Sequence, residues 1–460
     1  MPHLNVNNPW NGKVINKLKL QNSDTIEKII KASHNIVKKK QYLQIPQRLE
    51  ILNKLILLIE KNIDSLAIQA SKEGGKIIKD SMIEIRRGID GIKSCTEILR
   101  TEAGNVIPMN INEASKNRIA FTQKEPIGLV LAISAFNHPF NLIIHQVLPA
   151  IATGCPVIVK PSEETPLSCR SLIEFLYEAG LPESYCQMIL PEKLEIATKI
   201  VSDPRISFLS FIGSSKVGWY LRSKLSPGAR CSLEHGGMAP LFLENDTNVK
   251  DAVASVTRAG FYHAGQVCVS VQKIFVHEEI IDVFNRELLK SLKKIVIGNQ
   301  LKKNTDLGPL IRPNEVLRVN EWVQNSIKNG AKLLIGGEEY SDTAYKPTVL
   351  LNPSDDDEVS TKEIFGPVVC IYNYKKIDDA IARVNKSDVA FQSAIFTNKI
   401  SRCLNFFKKI NASAVFHNEH TAFRVDWMPF AGLKTSGLGI GGIRYSMHDM
   451  QTEKMLVLKH

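Results

Sequence analysis

IGLVLAISAFNHPFNLIIHQVLPAIATGCPVIVKPSEETP (127–166) begins with an eight-residue apolar run, IGLVLAIS, and later holds a second one, PVIVK. Each run is short, bounded by turn-forming residues and rich in branched side chains, which reads as a buried strand. Between them a helix opens near Pro139 and continues through NLIIHQVLPAIA. The same alternation carries on downstream. A helix from Pro166 to about Ala179 stops at Gly180, a natural C-terminal cap. CQMIL, a helix over LEIATKIVS, the strand ISFLSF and a helix starting near Ser215 follow in turn. A βαβα order of this kind predicts a parallel, doubly wound sheet with helices on both faces.

A second α/β stretch runs from VQKIFV (271–276) through a helix over EIIDVFNRELLKSLKKI, then AKLLIGG, VVCIYNY, a helix over IDDAIARVN, and QSAIF. Two strands fit neither series: the alternating ribbon RIAFTQKEPIG (118–128) and EKMLVLK near the C-terminus. Lone strands so far apart predict pairing outside the main cores, across a subunit boundary.

The 460 residues suffice for two or three packed units, and 23% charged with 44% hydrophobic residues is the balance of a soluble globular protein. No signal-peptide pattern opens the chain, and no segment approaches the ~18 consecutive apolar residues of a spanning helix. Eight cysteines without a CxxC pair exclude a disulfide framework and a structural zinc site, and point to a reducing cytoplasm. No metal site, membrane partner or nucleic-acid partner is expected. The net charge of +11 comes from scattered lysines, a solvated basic surface rather than a nucleic-acid patch.

Polar, glycine-punctuated stretches fall at predicted strand ends, where open α/β sheets bind ligands. They are SAFNHPFN (134–141), KPSEETP (160–166), FIGSSKVG (211–218) and LEHGG (233–237). YHAGQVC then places Cys268 behind a glycine turn, 34 residues after Glu234, and EIFGPV (363–368) and MPFAGLKTSGLG (428–439) follow. In order and spacing these motifs are similar to those of the NAD(P)-dependent aldehyde dehydrogenase superfamily, and the chain resembles that superfamily over essentially its full length.

The resemblance implies a Rossmann-like cofactor-binding domain over 1–107 and 128–236, a catalytic α/β domain over 237–445, and oligomerisation strands over 108–127 and 446–460. It implies a homodimer or homotetramer, with which the two lone strands agree. Cys268 would be the nucleophile that adds to an aldehyde as a thiolate. Asn137 would donate to the resulting oxyanion, and Glu234 would be the base that activates water on the thioester. A glutamate there matches the branch that hydrolyses its thioester. The alternatives are a coenzyme A-acylating enzyme, whose members typically lack this glutamate, and a catalytically silent binding or structural homologue. The other cysteines lie in apolar runs or lack a glycine loop. PWN (Pro9–Asn11) copies the usual spelling of the asparagine motif but precedes any parallel strand, and reads as a turn.

For the cofactor, Lys160 and Glu163 match the pair on the adenosine ribose, Gly213 and Ser214 the turn at the pyrophosphate, and Glu363 and Phe365 the residues at the nicotinamide ribose and ring. A carboxylate at 163 favours NAD over NADP. PEKLEIATKIVSDP (191–204) lacks the glycines many relatives carry beside the adenine. For the substrate, His138 either faces the tunnel or caps the next helix. Arg424 either meets a carboxylate, phosphate, phosphonate or sulfonate, or pairs with Asp426. Phe430 matches a tunnel-wall aromatic. Val267 stands where relatives that use phosphorylated or phosphonate aldehydes carry arginine. Arg86 and Arg87 read as extra anion contacts or as salt bridges. The expected substrate is a short oxygenated or anionic aldehyde.

Overall fold

The computed structural model describes residues 2–459. Its first sheet has six strands in the order Gly437–Leu438, Arg230–Glu234, Ile206–Ile212, Leu129–Ile133, Val157–Lys160 and Cys186–Met188. The last five are parallel, and only the two-residue strand at the edge runs antiparallel. Along Leu129–Ile133 successive side chains face opposite cores. Val130 and Ala132 pack with helices Ile45–Lys61 and Asn141–Thr153, whereas Leu129 and Leu131 meet Ile26 and Ile30 of helix Ser23–Lys39. Burial on both faces is why the strand is uninterruptedly apolar, and the doubly wound expectation holds.

The strand order reverses between Leu129–Ile133 and its neighbour Ile206–Ile212. Loops leaving the carboxyl ends of these two strands diverge there and leave a crevice. Two helices that start beside the crevice have their first amides capped by buried carboxylates from earlier helices. Glu73 accepts from Leu167 N (2.7 Å), Ser168 N (2.8 Å) and the Ser168 hydroxyl. Glu84 accepts from Phe140 N (2.9 Å) and Asn141 N (3.1 Å), and its other oxygen meets the buried Lys76. Burial raises Glu73 to about 7, against the pull of those three donors. Glu73→Ala leaves the donors buried without an acceptor, and about 3–5 kcal/mol of stability should be lost. Denaturant unfolding monitored by far-UV circular dichroism measures this; Glu73→Gln, which keeps an acceptor, should lose less.

A second sheet of seven strands runs Lys332–Ile335, Thr348–Leu351, Val368–Tyr374, Lys273–His277, Pro240–Leu243, Gln392–Phe396 and Ala414–His417. All but the first are parallel. Stacked Phe242, Phe275 and Tyr372 mark its core, with centroids 4.9 and 5.2 Å apart. The chain then returns to the first sheet through Gly437–Leu438, and helix Ile443–Asp449 packs on helices Ile78–Thr101 and Asn141–Thr153.

The two lone strands find each other. Arg118–Pro126 pairs antiparallel with Gln451–Lys459 in register from Gln451↔Pro126 to Lys459↔Arg118, and Val106–Ile107 adds a short third strand. Pro9–Asn11 lies in the turn of the hairpin His3–Asn7/Val14–Lys19, as read from sequence. No helix in the described residues is long and apolar enough to cross a membrane.

Candidate active site

The loop that leads to Cys268, the expected nucleophile, is built under strain. His263 and Ala264 take left-handed φ of 49° and 53°, a conformation costing non-glycine residues about 1–2 kcal/mol each. Gly265 follows at φ 74°, where a Cβ would stand 2.0 Å from the carbonyl oxygen of Gly366. Only glycine lets the GQVC loop press this closely on the EIFGPV loop. Gln266 anchors it by donating to His263 O and Pro309 O and accepting from Ile311 N. Gly237 N holds the Cys268 carbonyl at 3.2 Å.

Those contacts aim Cys268 into a cavity of about 550 Å³ at the crevice. Six of the eight cysteines are buried; Cys231 and Cys268 are partly accessible, and only Cys268 lines this cavity. Around it stand Asn137, His138, Gly213, Ser214, Glu234, Glu363, Phe365, Arg424 and Phe430. Asn137 Nδ2 donates to Gln266 O at 2.9 Å, which uses one amide hydrogen and leaves the other.

The charges of the site are set by burial. It raises Glu234 to about 7, with Arg424 pulling the other way, and raises Glu363 to about 8 against Arg318 and the Gly237 amide. It also pushes the Cys268 thiol well above its ordinary range, and the Glu363 and Glu234 carboxyls add to the rise. A base near neutrality and a protonated resting thiol therefore share one pocket.

At the far end Asp426 accepts from Arg87 (2.8 and 3.2 Å), His145 Nε2 (2.7 Å) and Asn141 Nδ2 (3.1 Å). Arg87 thus takes the carboxylate that the sequence offered to Arg424, while Arg86 is exposed. No carboxylate among the described residues pairs with Arg424, whose guanidinium lies 3.8 Å from the Phe430 ring centroid. Burial lowers Arg424 to about 10, so it stays charged at neutral pH. His138 lines the cavity, its Nε2 3.4 Å from the Tyr262 hydroxyl. The cap of the following helix is Glu84 instead. Burial holds His138 well below its ordinary value, hence neutral. Tyr262 escaped the sequence reading although it opens the stretch that ends in Cys268, because nothing local shows which way its hydroxyl turns.

At the opposite end Phe136 meets Phe365 edge-on at 5.8 Å, and Arg318 lies over Trp322 at 4.6 Å; all four line the cavity. Trp322 and Arg318 sit on helix Pro313–Lys328, which carries no motif to announce them. Lys160 and Glu163 adjoin the cavity through Ser162 without lining it; they lie 3.4 Å apart, with Glu163 57% exposed.

Comparison with known proteins agrees with this geometry. Residues 2–456 match the Aldehyde dehydrogenase family. The chain is 36% identical over 412 residues to 3-sulfolactaldehyde dehydrogenase of Priestia aryabhattai, covering 90% of this chain and 86% of that protein. It is 36% identical over 460 residues to lactaldehyde dehydrogenase of Methanococcus vannielii, covering 99% and 97%. The crystal structure of glyceraldehyde-3-phosphate dehydrogenase GapN from Methanocaldococcus jannaschii, complexed with NADP, superposes with a TM-score of 0.95 at 32% identity, covering 99% of each chain. A chain with this fold, this ordered set of cavity residues and these relatives is an oxidoreductase that belongs to the aldehyde dehydrogenase family.

Proposed function

We propose that the enzyme oxidises a short aldehyde bearing a hydroxyl or an anionic group to its carboxylic acid. The observation that carries this reading is Arg424: a partly buried guanidinium lining the cavity with Cys268 and Glu234, charged and without a carboxylate partner among the described residues, while Asp426 is taken by Arg87. A cation held in a cavity wall without a counter-ion is placed to meet an anionic ligand. The similar proteins are named for sulfolactaldehyde, lactaldehyde and glyceraldehyde 3-phosphate, short oxygenated aldehydes of which two are anionic.

Cys268 Sγ releases its proton to solvent and adds to the aldehyde carbon as the thiolate. Asn137 Nδ2 and the Cys268 amide donate to the oxyanion that forms, worth about 3 kcal/mol per donor. Glu234 later takes a proton from the water that attacks the thioester. A bound nicotinamide dinucleotide supplies the acceptor for the aldehyde's hydrogen. The residues present suit it: Glu363 Oε1 is buried without a partner, ready for ribose hydroxyls, and the missing side chain of Gly236 leaves room for that carboxyl. The Gly213–Ser214 turn opens helix Ser215–Arg222, whose first amides suit a phosphate. Glu163 favours NAD over NADP by charge.

The assignment of residues 1–107 and 128–236 to the cofactor, and of 237–445 to catalysis, is supported by the separation into two sheets, with Gly437–Leu438 crossing back to the first. Assembly into a homodimer or homotetramer is supported by exposed apolar edges. Met455, Leu456, Val457 and Leu458 lie bare on an edge strand, and Ile400, Leu404 and Phe407 form an open stripe on helix Ile400–Lys409.

A panel of neutral, hydroxylated and anionic three- and four-carbon aldehydes, assayed on wild type and Arg424→Ala, tests the substrate class. The variant should lose about 10²-fold in kcat/KM for the anionic members and change little for neutral ones. Equal loss across the panel would refute the role of the arginine.

A further inference from the structure

We infer that Gly441 is a positioning residue for Glu234: its missing side chain holds open the space in which the carboxyl of the base sits. This rests on the hydrolytic chemistry proposed above. A Cβ on Gly441 would stand 2.0 Å from Glu234 Oε1 and 2.8 Å from Glu234 Cδ. The φ of Gly441 is not left-handed, so its backbone suits any residue, and glycine is needed there for room alone.

The wall behind that space is fixed. Gly441 N donates to Phe430 O at 2.6 Å, and Phe430 N donates to Gly441 O at 3.0 Å. Gly442 then opens helix Ile443–Asp449, which is packed on two helices of the first core. The remaining neighbour of the added Cβ, Phe430 O at 2.9 Å, is a backbone atom about 0.5 Å inside ordinary contact, so the Phe430 bridge must give a little as well. The larger overlap falls on the flexible partner, the Glu234 carboxyl. Since ordinary contact begins at 3.4 Å, that carboxyl must move by about 1.4 Å.

The step exposed to such a shift is deacylation. The water oxygen bonds to the thioester carbon while Glu234 takes a water proton. The carbon–sulfur bond then breaks, the sulfur leaves as thiolate, and Glu234 returns the proton to it. A base displaced by about 1 Å loses about 10²-fold in rate. Addition of Cys268 and hydrogen transfer to the cofactor precede this step and depend far less on where the carboxyl rests.

Gly441→Ala holoenzyme is assayed with NAD and, separately, 3-sulfolactaldehyde, lactaldehyde and glyceraldehyde 3-phosphate. Stopped-flow absorbance should show a burst near one NADH per site, followed by a steady state about 10²-fold below wild type. Intact-protein mass spectrometry of acid-quenched enzyme should show the acyl group accumulating on Cys268. The second arm is a Glu234→Asp background, whose carboxyl is one methylene shorter and clears the added methyl. There Gly441→Ala should lower the steady state by less than about threefold. A wild-type steady state without acyl-enzyme overturns the inference. So does an equal loss in both backgrounds, which would place the effect on the Phe430 bridge. Absence of aldehyde-dependent NADH from wild type would refute the hydrolytic reading instead.

Discussion

Cys268→Ala is expected to abolish aldehyde-dependent NADH formation, a loss on the order of 10⁵–10⁶-fold, because no other side chain in the cavity offers a sulfur or hydroxyl nucleophile in its place. Tyr262 carries the one phenol there, and burial raises its pKa far above neutrality. Ser134, Ser162 and Ser214 also line the cavity, but on the loops of the first sheet rather than on the GQVC turn. Nucleotide binding should survive, since Gly213, Ser214, Glu363 and Phe365 are untouched. Isothermal titration with NAD checks that half, and absorbance at NADH's band checks the other. The fold should survive as well: Cys268 packs at the edge of a small cluster with Val267, Val269, Phe391 and Phe430, so loss of its sulfur removes little buried area.

Glu234→Gln is expected to separate the two halves of the reaction. The first turnover should persist as a burst, and the steady state should fall about 10³-fold as the thioester waits for an activated water. The pH dependence supplies a second signature. Burial raises Glu234 to about 7 by disfavouring its charged form, and the charged form is the one that accepts a proton. Wild-type kcat should therefore be low below pH 7, rise through about 7 and level off above it; the Gln variant should lose that limb. The positive charge of Arg424 lowers the Glu234 pKa, so Arg424→Ala should move the limb to higher pH. A limb unchanged in Glu234→Gln would assign the titration to another group.

Much of this protein was legible before its structure. The apolar runs at 127–134 and 156–160 read as buried strands because strands covered on both faces must be apolar throughout. Residues from four loops could be named for one site because open α/β sheets gather their loops at one end. The resemblance of LEHGG, GQVC and EIFGPV to a known family then attached chemistry to those positions. What stayed open concerned partners distant along the chain. Arg118–Pro126 and Gln451–Lys459 could each be read as a lone strand, but nothing local reveals that they pair with each other. Arg424 and Asp426 are two residues apart, and the sequence left open whether Arg424 pairs with that carboxylate or with a substrate anion. Yet Asp426 belongs to Arg87, which reaches it from helix Ile78–Thr101.

The amino-acid sequence by itself determined the doubly wound architecture and, through its resemblance to a known family, named the candidates for nucleophile, base and oxyanion donor. The first depends on local periodicity and the second on ordered motifs, all written within short windows. Only the tertiary structure decided that Arg424 has no carboxylate partner among the described residues, that His138 faces the cavity, and that Glu234 rests against the bare backbone of Gly441. Each of these is a contest between groups hundreds of residues apart for the same few cubic ångströms. Packing resolves it, because a buried charge, ring or carboxyl has to take whichever partner or vacancy the folded chain leaves beside it.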